Sequence, residues 1–173
     1  MSRKCTRLVA LGRRQFLQGG AVAAAGATVL AVPVPAKAAP AGARLDYPST
    51  RLANVAELTV DQPLDVLYPD ADAPGVLLKL GQPVEGGVGP ERDIVGFTVI
   101  CPHKGYPMAY VAEDRSMNCP GHYSRFDVEK GGQQIWGQAT ANLPQYILRV
   151  DEKGDIHAEG LDELLYGRLS NVL

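Results

Sequence analysis

The chain has 173 residues, which is enough for one domain with a hydrophobic core and too few for two. Its net charge of −2 hides an asymmetry, because residues 1–38 hold six basic and no acidic side chains. The remainder, residues 39–173, holds 11 Lys and Arg against 19 Asp and Glu, a formal charge of −8. An acidic domain argues against a nucleic-acid partner, since phosphate binding needs a basic face. The charge suits either a basic protein partner or simple solubility.

Residues 1–38 predict an export signal that is removed from the mature protein. Basic residues come first, Arg13 and Arg14 precede Phe16, an apolar run of 14 residues spans 19–32, and the segment ends at Ala38. This is the order of a basic region, an apolar region and a cleavage site. The paired arginines resemble a twin-arginine signal, which exports proteins already folded around a cofactor and predicts a periplasmic protein. Because a spanning helix needs ~20 apolar residues, a retained membrane anchor is the less favoured alternative.

The remaining chain predicts short strands separated by turns, and therefore an all-β fold, an antiparallel sandwich or barrel. Apolar and β-branched content predicts strands at residues 77–80, 93–100, 146–150 and 156–158. Residues 81–90 predict a Gly- and Pro-rich loop, and residues 151–155 predict a hairpin turn. Leucines spaced along residues 161–169 predict one short amphipathic helix.

Two short motifs carry residues that bind metals. Cys101-Pro102-His103 follows a predicted strand, and Cys119-Pro120-Gly121-His122 stands in a second loop rich in Pro and Gly. Each motif pairs a thiol with an imidazole, and loops can direct four such ligands toward one centre. Zinc accepts the same Cys₂His₂ set, and two cysteines in an oxidising compartment could instead form a disulfide.

The order of these ligands favours an iron–sulfur centre over both alternatives. Each loop supplies one cysteine and one histidine, as Cys-x-His and Cys-x₂-His separated by 15 residues, whereas zinc fingers usually group like ligands together. This spacing resembles that of the Rieske family, in which two thiolates hold one iron of a [2Fe–2S] cluster and two imidazoles hold the other. Neutral imidazoles raise the potential to between about −150 and +300 mV. The resemblance implies one-electron transfer, with these ligands: Cys101, His103, Cys119 and His122.

The same resemblance implies a Rieske-type fold, in which a smaller subdomain of loops, at about residues 97–145, binds the cluster. His157 lies in a predicted strand away from both motifs and is not expected to be a ligand. The domain would then span residues 39–173, after the export signal.

The residues next to the ligands bear on the stability of the two loops and on the midpoint potential of the cluster. By resemblance, Tyr106 and Gly121 occupy the positions where many respiratory Rieske proteins carry a disulfide, so packing and hydrogen bonds must hold these loops. By the same resemblance, Ser124 matches a serine that donates a hydrogen bond to cluster sulfur in high-potential Rieske proteins. Phe126 stands where high-potential members carry a tyrosine, and a potential below theirs is expected. Residues 142–145 resemble a third, proline-containing loop that covers the cluster.

The flanking residues resemble one group within this family, the small subunits of bacterial arsenite oxidases. The resemblance rests on residues 101–108, 118–127 and 162–169 and on the twin-arginine leader. It implies a large partner subunit that holds a molybdenum–pterin centre and a [3Fe–4S] cluster and oxidises arsenite. This chain would pass electrons onward, one at a time, to a periplasmic cytochrome c or cupredoxin. With both cysteines outside the leader used as iron ligands, the chain keeps no thiol for arsenic and is not the catalyst.

Other functions stay open on the sequence alone. The Rieske subunit of a cytochrome bc-type complex would need a retained membrane helix and usually the disulfide between the cluster loops. A stand-alone Rieske ferredoxin would normally lack an export signal. An oxygenase component would need a further 2-His-1-carboxylate iron site, for which only His157 remains. A structural zinc module would be colourless, whereas a Rieske protein is red-brown.

Overall fold

Ten short strands form three antiparallel sheets in residues 46–172, the part of the chain that the computed structural model describes. The strands are β1 (Thr50–Asn54), β2 (Leu64–Leu67), β3 (Pro74–Lys79), β4 (Ile94–Thr98), β5 (Ala109–Val111), β6 (Ser116–Asn118), β7 (Arg125–Asp127), β8 (Gln133–Trp136), β9 (Tyr146–Val150) and β10 (Asp155–Leu161). Single-turn 3₁₀ helices span Val55–Glu57 and Val128–Lys130. The strand orders are β1-β10-β9 in the base sheet, β2-β3-β4 in the central sheet and β5-β6-β7-β8 in the outer sheet. The predicted all-β, antiparallel fold is confirmed.

Strands β3 and β4 of the central sheet are buried on both faces, which explains the continuous apolar runs in their sequences. Val76 and Leu78 of β3 and Phe97 of β4 belong to one hydrophobic core, whereas Leu77 and Ile94 belong to a second. Because neighbouring side chains of a strand point to opposite faces, a strand buried on both sides shows no polar alternation. The first core also contains the cysteines of both motifs, so the motif loops are anchored in it.

Two glycines of the central sheet make room for a tyrosine of the base sheet. A Cβ on Gly75 would lie 1.7 Å from the hydroxyl oxygen of Tyr146, and one on Gly96 would lie 2.8 Å from Cδ2 of the same ring. Tyr146 is buried, and its ring meets that of Tyr68 edge-on with centroids 5.4 Å apart. The ring fills the space that two side chains would otherwise take, so the base and central sheets pack closely here.

A polar network fixes the outer sheet to the central one. Arg115, in the turn between β5 and β6, contacts the carboxylates of Asp61 at 3.2 Å and Glu129 at 2.8 Å. Tyr110 of β5 donates to the same Asp61 carboxylate at 2.9 Å. The Asp61 amide in turn donates to the carbonyl of Lys79, at the end of β3, at 2.8 Å. These bonds hold the strands that carry the motif loops in place.

The four predicted strands are confirmed with small shifts of their ends. Residues 77–80 lie mostly in β3, 93–100 contain β4, 146–150 coincide with β9 and 156–158 lie within β10. The hairpin turn is also confirmed, because the Asp151 amide donates to the Asp155 carbonyl at 3.0 Å. The predicted loop at 81–90 connects β3 to β4.

The helix predicted over residues 161–169 is wrong. β10 includes the first of these residues, and the rest form bends, irregular segments and one turn at residues 166–167. The side chain of Asn171 takes the place of helical hydrogen bonds, since it accepts from the Leu165 amide and donates to the Glu163 carbonyl, both at 2.8 Å. Gly167 has a φ of 79°, a left-handed value that interrupts a right-handed helix. Of the four leucines only Leu161 and Leu165 are buried, whereas Leu164 and Leu169 are exposed, so their spacing does not mark one apolar face.

The export signal predicted in residues 1–38 lies outside the described residues and stays a prediction. The same holds for cleavage after Ala38, which sequencing of the mature N-terminus would test. Among residues 46–172, no helix is long and apolar enough to cross a membrane.

Candidate iron–sulfur centre

The two motif loops, residues 101–106 and 119–124, have the same backbone hydrogen bonds. In each loop the cysteine amide donates to the carbonyl five residues later, and the amide four residues later donates to the cysteine carbonyl. These bonds are Cys101 N to Tyr106 O (2.9 Å), Gly105 N to Cys101 O (2.9 Å), Cys119 N to Ser124 O (2.9 Å) and Tyr123 N to Cys119 O (3.0 Å). The loops are thus two copies of one turn, and each presents its cysteine and histidine in a similar way.

The cysteines of both loops are buried and unpaired. Cys101 is 1 % exposed and Cys119 is 3 % exposed, and both are free thiols. Burial raises the pKa of the Cys101 thiol, and the neighbouring Cys119 raises it too, although the amides of His103 and Lys104 lower it in part. A bound cation such as iron compensates the charge of the thiolate and so favours loss of this proton. The disulfide alternative is not realised in this structure.

The two histidines of the loops lie side by side at the surface. The ring centroids of His103 and His122 are 4.8 Å apart at an interplanar angle of 82°. His122 is exposed and His103 is half-buried, yet Nδ1 of His103 is itself buried without a hydrogen-bond partner. A buried ring nitrogen without a partner is unusual unless it coordinates a metal. The donor set, two buried thiols and two adjacent imidazoles, therefore fits a Rieske-type [2Fe–2S] cluster.

The ligands lie in two pairs, the cysteines in the core and the histidines at the surface. A Rieske cluster takes two ligands on each iron, so this arrangement suits it. Within residues 46–172 no group of three or more His, Cys, Asp or Glu side chains is placed to hold one metal ion.

Tyr106 packs onto Gly121. These are the two positions at which many respiratory Rieske proteins, by resemblance, carry a disulfide. A Cβ on Gly121 would lie 2.7 Å from Cγ of the Tyr106 ring. The same ring meets His122 edge-on, with centroids 5.5 Å apart at 88°. The two loops are thus joined at these positions by packing of an aromatic ring on a glycine.

Ser124 is fully buried and held by backbone amides. Its Oγ accepts from the amide of Gln138 at 3.1 Å and from that of Ala139 at 3.0 Å. Because these donors take the oxygen lone pairs, the hydroxyl proton is left to donate elsewhere. This is compatible with the predicted hydrogen bond from Ser124 to cluster sulfur, which stays a prediction.

The segment directly after β8 approaches this serine closely because Gly137 has no side chain. A Cβ on Gly137 would lie 2.5 Å from the Cα of Ser124 and 2.6 Å from the carbonyl oxygen of Tyr123. Gly137 also has a φ of 92°, a conformation that residues with a side chain rarely adopt. The sequence analysis missed this residue, for which an isolated glycine after a strand was the only signal.

The third loop packs into the core beside the motif cysteines, and its covering of the cluster stays a prediction; the third histidine lies on another sheet. Leu143, in the proline-containing loop, is fully buried in the core that contains both motif cysteines, and its amide donates to the Gly132 carbonyl at 2.9 Å. His157 lies on β10, where its Nε2 is 3.3 Å from an oxygen of Asp151 in the hairpin turn. It takes no part in the histidine pair.

Phe126 of β7 is fully buried in the core that contains both motif cysteines. It stands where high-potential Rieske proteins, by resemblance, carry a tyrosine hydroxyl. We expect Phe126→Tyr to raise the midpoint potential of the cluster by roughly 40–60 mV, the equivalent of one hydrogen bond of about 1 kcal/mol that favours the reduced state. A redox titration followed by electron paramagnetic resonance measures this shift. Phe97→Tyr is the matched control, because Phe97 is equally buried in the same core. An unchanged or lower potential in Phe126→Tyr, or an equal rise in both variants, would contradict the prediction.

A family model for the Rieske [2Fe-2S] domain matches residues 52–147, which include both motifs. The chain belongs to the Rieske family. Membership implies a [2Fe–2S] cluster, and it decides against the zinc alternative. The fold agrees, since the structure is similar to the soluble domain of the Rieske protein II (soxF) from Sulfolobus acidocaldarius. That likeness has a TM-score of 0.64 at 23% identity and covers 71% of this chain and 82% of that one.

Similarity over nearly the full length is found with Rieske relatives that are subunits of an enzyme. The chain is 38% identical over 165 residues to iodate reductase subunit IdrB of Denitromonas iodatirespirans, covering 93% of this chain and 86% of that protein. It is 36% identical to the subunit of the same name in Pseudomonas sp. (strain SCT), covering 91% and 82%. Similarity to the Rieske subunit of the cytochrome bc1 complex of Corynebacterium efficiens, at 38% identity, covers 39% of this chain and 17% of that protein.

Proposed function

We propose that this chain is the electron-transfer subunit of a two-subunit molybdenum oxidoreductase that acts on an oxyanion. The observation that carries the proposal is the pairing of two buried free thiols with two adjacent histidines, one of them exposed. The relatives that this chain matches over nine-tenths of its length are subunits of an enzyme, which supports a catalytic centre in a partner subunit.

The residues of the loops would divide the work of holding the cluster. Cys101 and Cys119 would bind from the core side, where burial excludes water. His103 and His122 would bind from the surface side, where a redox partner can approach. When bound, a Rieske cluster stores and passes one electron at a time. The backbone bonds of the loops hold all four side chains in position.

Iodate is the first candidate substrate of the partner, because the similarity to iodate reductase subunits extends over nine-tenths of the chain, 93% and 91%. In that case electrons flow from this subunit to the catalytic one. Arsenite is the second candidate, favoured by the resemblance of both motif regions and of residues 162–169 to arsenite oxidase small subunits. In that case electrons flow in the opposite direction, from the molybdenum–pterin and [3Fe–4S] centres of the partner, through this subunit, to a cytochrome c or cupredoxin.

A cytochrome bc-type role is the less supported alternative. Similarity to the bc1 Rieske subunit covers 39% of this chain, and the loops carry a tyrosine and a glycine in place of the disulfide pair. The proposal also includes a periplasmic location, supported by the twin-arginine sequence and by the Ala-x-Ala sequence at Ala36.

Electron paramagnetic resonance on the native complex would test the proposal. If the partner oxidises arsenite, arsenite alone produces the signal of the reduced Rieske cluster in the anaerobic, oxidised complex. If the partner reduces iodate, iodate removes that signal from a complex reduced beforehand with dithionite. Purification of this chain without any molybdenum-containing subunit would overturn the proposed function. A complex that responds to neither oxyanion would retain the subunit role and exclude both substrates.

A further inference from the structure

An apolar groove of about 950 Å³ runs beside the second motif loop. Tyr123 and Trp136 form its walls, and both are largely exposed, at 73% and 67% of their surface. The groove is lined by Cys119, one of the motif ligands, so an occupant of it would lie next to the cluster. Exposed aromatic side chains on the walls of a groove are typical of binding hot spots between proteins.

Tyr123 occupies a backbone conformation that favours glycine. Its φ is 61°, and the equivalent residue of the first loop is Gly105, with a φ of 71°. A left-handed conformation costs a residue with a side chain of order 1 kcal/mol or more, and its exposed ring gains little from burial in exchange. The folding of this chain alone therefore favours glycine at position 123. The exposed tyrosine ring contributes little to the fold and is available to a partner.

The groove is electrically neutral in an otherwise acidic domain. Its two charged residues, Asp114 and Arg125, form an ion pair with each other, and Arg125 also donates to Asn118 at 3.1 Å. Residues 39–173 as a whole carry a formal charge of −8. A diffusing redox carrier is steered by charge and forms a small, polar contact. Permanent subunit interfaces are larger and more apolar, and their central residues carry little unpaired charge.

We infer that this groove is the seat of an uncharged, apolar segment of the catalytic subunit, with Tyr123 and Trp136 as the anchoring residues. The inference rests on the proposed function, since it requires a permanent partner. The segment would fill the space between the two aromatic walls and exclude water from the Cys119 side of the centre. The exposed surface of the histidine pair and the acidic faces of the domain would then remain for the second redox partner.

Tyr123→Gly is the decisive variant, because it removes the anchor and also relieves the backbone. The variant should fold at least as well as the wild type, so a loss of binding cannot be assigned to misfolding. Trp136→Ser removes the second wall, and Leu67→Ser is the control, since Leu67 is also half-exposed, at 52%, but lies on β2 outside the groove. The complex is purified by a tag on this chain, and its partner is identified by its molybdenum content. The dissociation constant and the visible spectrum of the cluster are then measured.

We expect Tyr123→Gly and Trp136→Ser each to weaken the complex by about thirtyfold or more, as for a hot-spot residue, with an unchanged cluster spectrum. Leu67→Ser should leave the dissociation constant within about twofold. Unchanged affinity in both groove variants overturns the inference. So does an intact complex that transfers electrons more slowly to a cytochrome c or cupredoxin, because the groove then binds the carrier. A change confined to self-association of this chain overturns it in favour of a second copy. If the wild-type chain binds no molybdenum subunit, the proposed function fails first.

Discussion

We expect Cys119→Ser to abolish binding of the iron–sulfur cluster. Serine has nearly the same shape as cysteine, so the buried site can still pack, but its hydroxyl is a poor iron ligand compared with a thiolate. The purified variant should lack the visible absorption and the reduced-state resonance signal of the wild type. Chemical analysis should find two iron and two sulfide per wild-type chain and almost none in the variant.

Cys5→Ser is the matched control for this loss. It makes the same chemical change in the predicted leader, far from both motifs in the sequence. Its iron and sulfide content should equal that of the wild type. Full iron content in Cys119→Ser would remove that residue from the ligand set. Zinc in place of iron in the wild-type protein would contradict the centre as a whole.

The ligands could be predicted from the sequence because their chemistry is local. Cys101 and His103 are separated by one residue, and Cys119 and His122 by two, so each pair is fixed within a single turn. The structure adds that these turns have the same hydrogen bonds and bring the histidine rings to 4.8 Å. The distance between the two loops is set by packing through the core, which no spacing in the sequence records.

The four strands of the outer sheet could not be predicted in the same way. They contain three or four residues each, which is too short for an alternating pattern to be distinguished from a loop. Their stability comes from pairing with each other and from the network around Arg115. Such contacts join residues far apart in the chain, so local propensity carries little information about them.

Backbone conformations with positive φ were the other feature that the sequence did not reveal. Tyr123 was passed over because a tyrosine gives no sign of a left-handed turn. Gly137 was passed over because a glycine after a strand is common. Tyr123 belongs to the motif loop that ends at Ser124, and Gly137 lies against that loop, where the position of the backbone determines what surrounds the cluster.

Gly137→Ala should therefore lower both the stability of the folded protein and the midpoint potential of the cluster. The added Cβ would meet backbone atoms of Tyr123 and Ser124 at 2.5–2.7 Å, and backbone cannot yield as a flexible side chain does. Strain at a φ of 92° adds to this overlap. We expect a destabilisation of about 3 kcal/mol, the sum of a strained conformation and an overpacked contact. This corresponds to a fall of roughly 10 °C in the apparent melting temperature of the cluster-loaded protein.

The potential should change because Gly137 positions the amides that hold Ser124. The amides of Gln138 and Ala139, which follow directly, donate to the Ser124 hydroxyl oxygen at 3.1 and 3.0 Å. If the backbone moves away, the hydroxyl loses its orientation, and the hydrogen bond predicted to stabilise the reduced cluster weakens. A fall of roughly 40–60 mV in the midpoint potential is expected for the loss of one such bond of about 1 kcal/mol.

Gly167→Ala separates strain in φ from the effect on the cluster. Gly167 has a φ of 79°, but a Cβ there would meet nothing within 4 Å. This variant should lose only about 1 kcal/mol and keep the wild-type potential, because it makes the same backbone change without the contact. An equal fall in melting temperature for both variants would show that strain alone is responsible. A wild-type potential in Gly137→Ala would show that the approach to Ser124 serves the fold and not the electron affinity of the cluster.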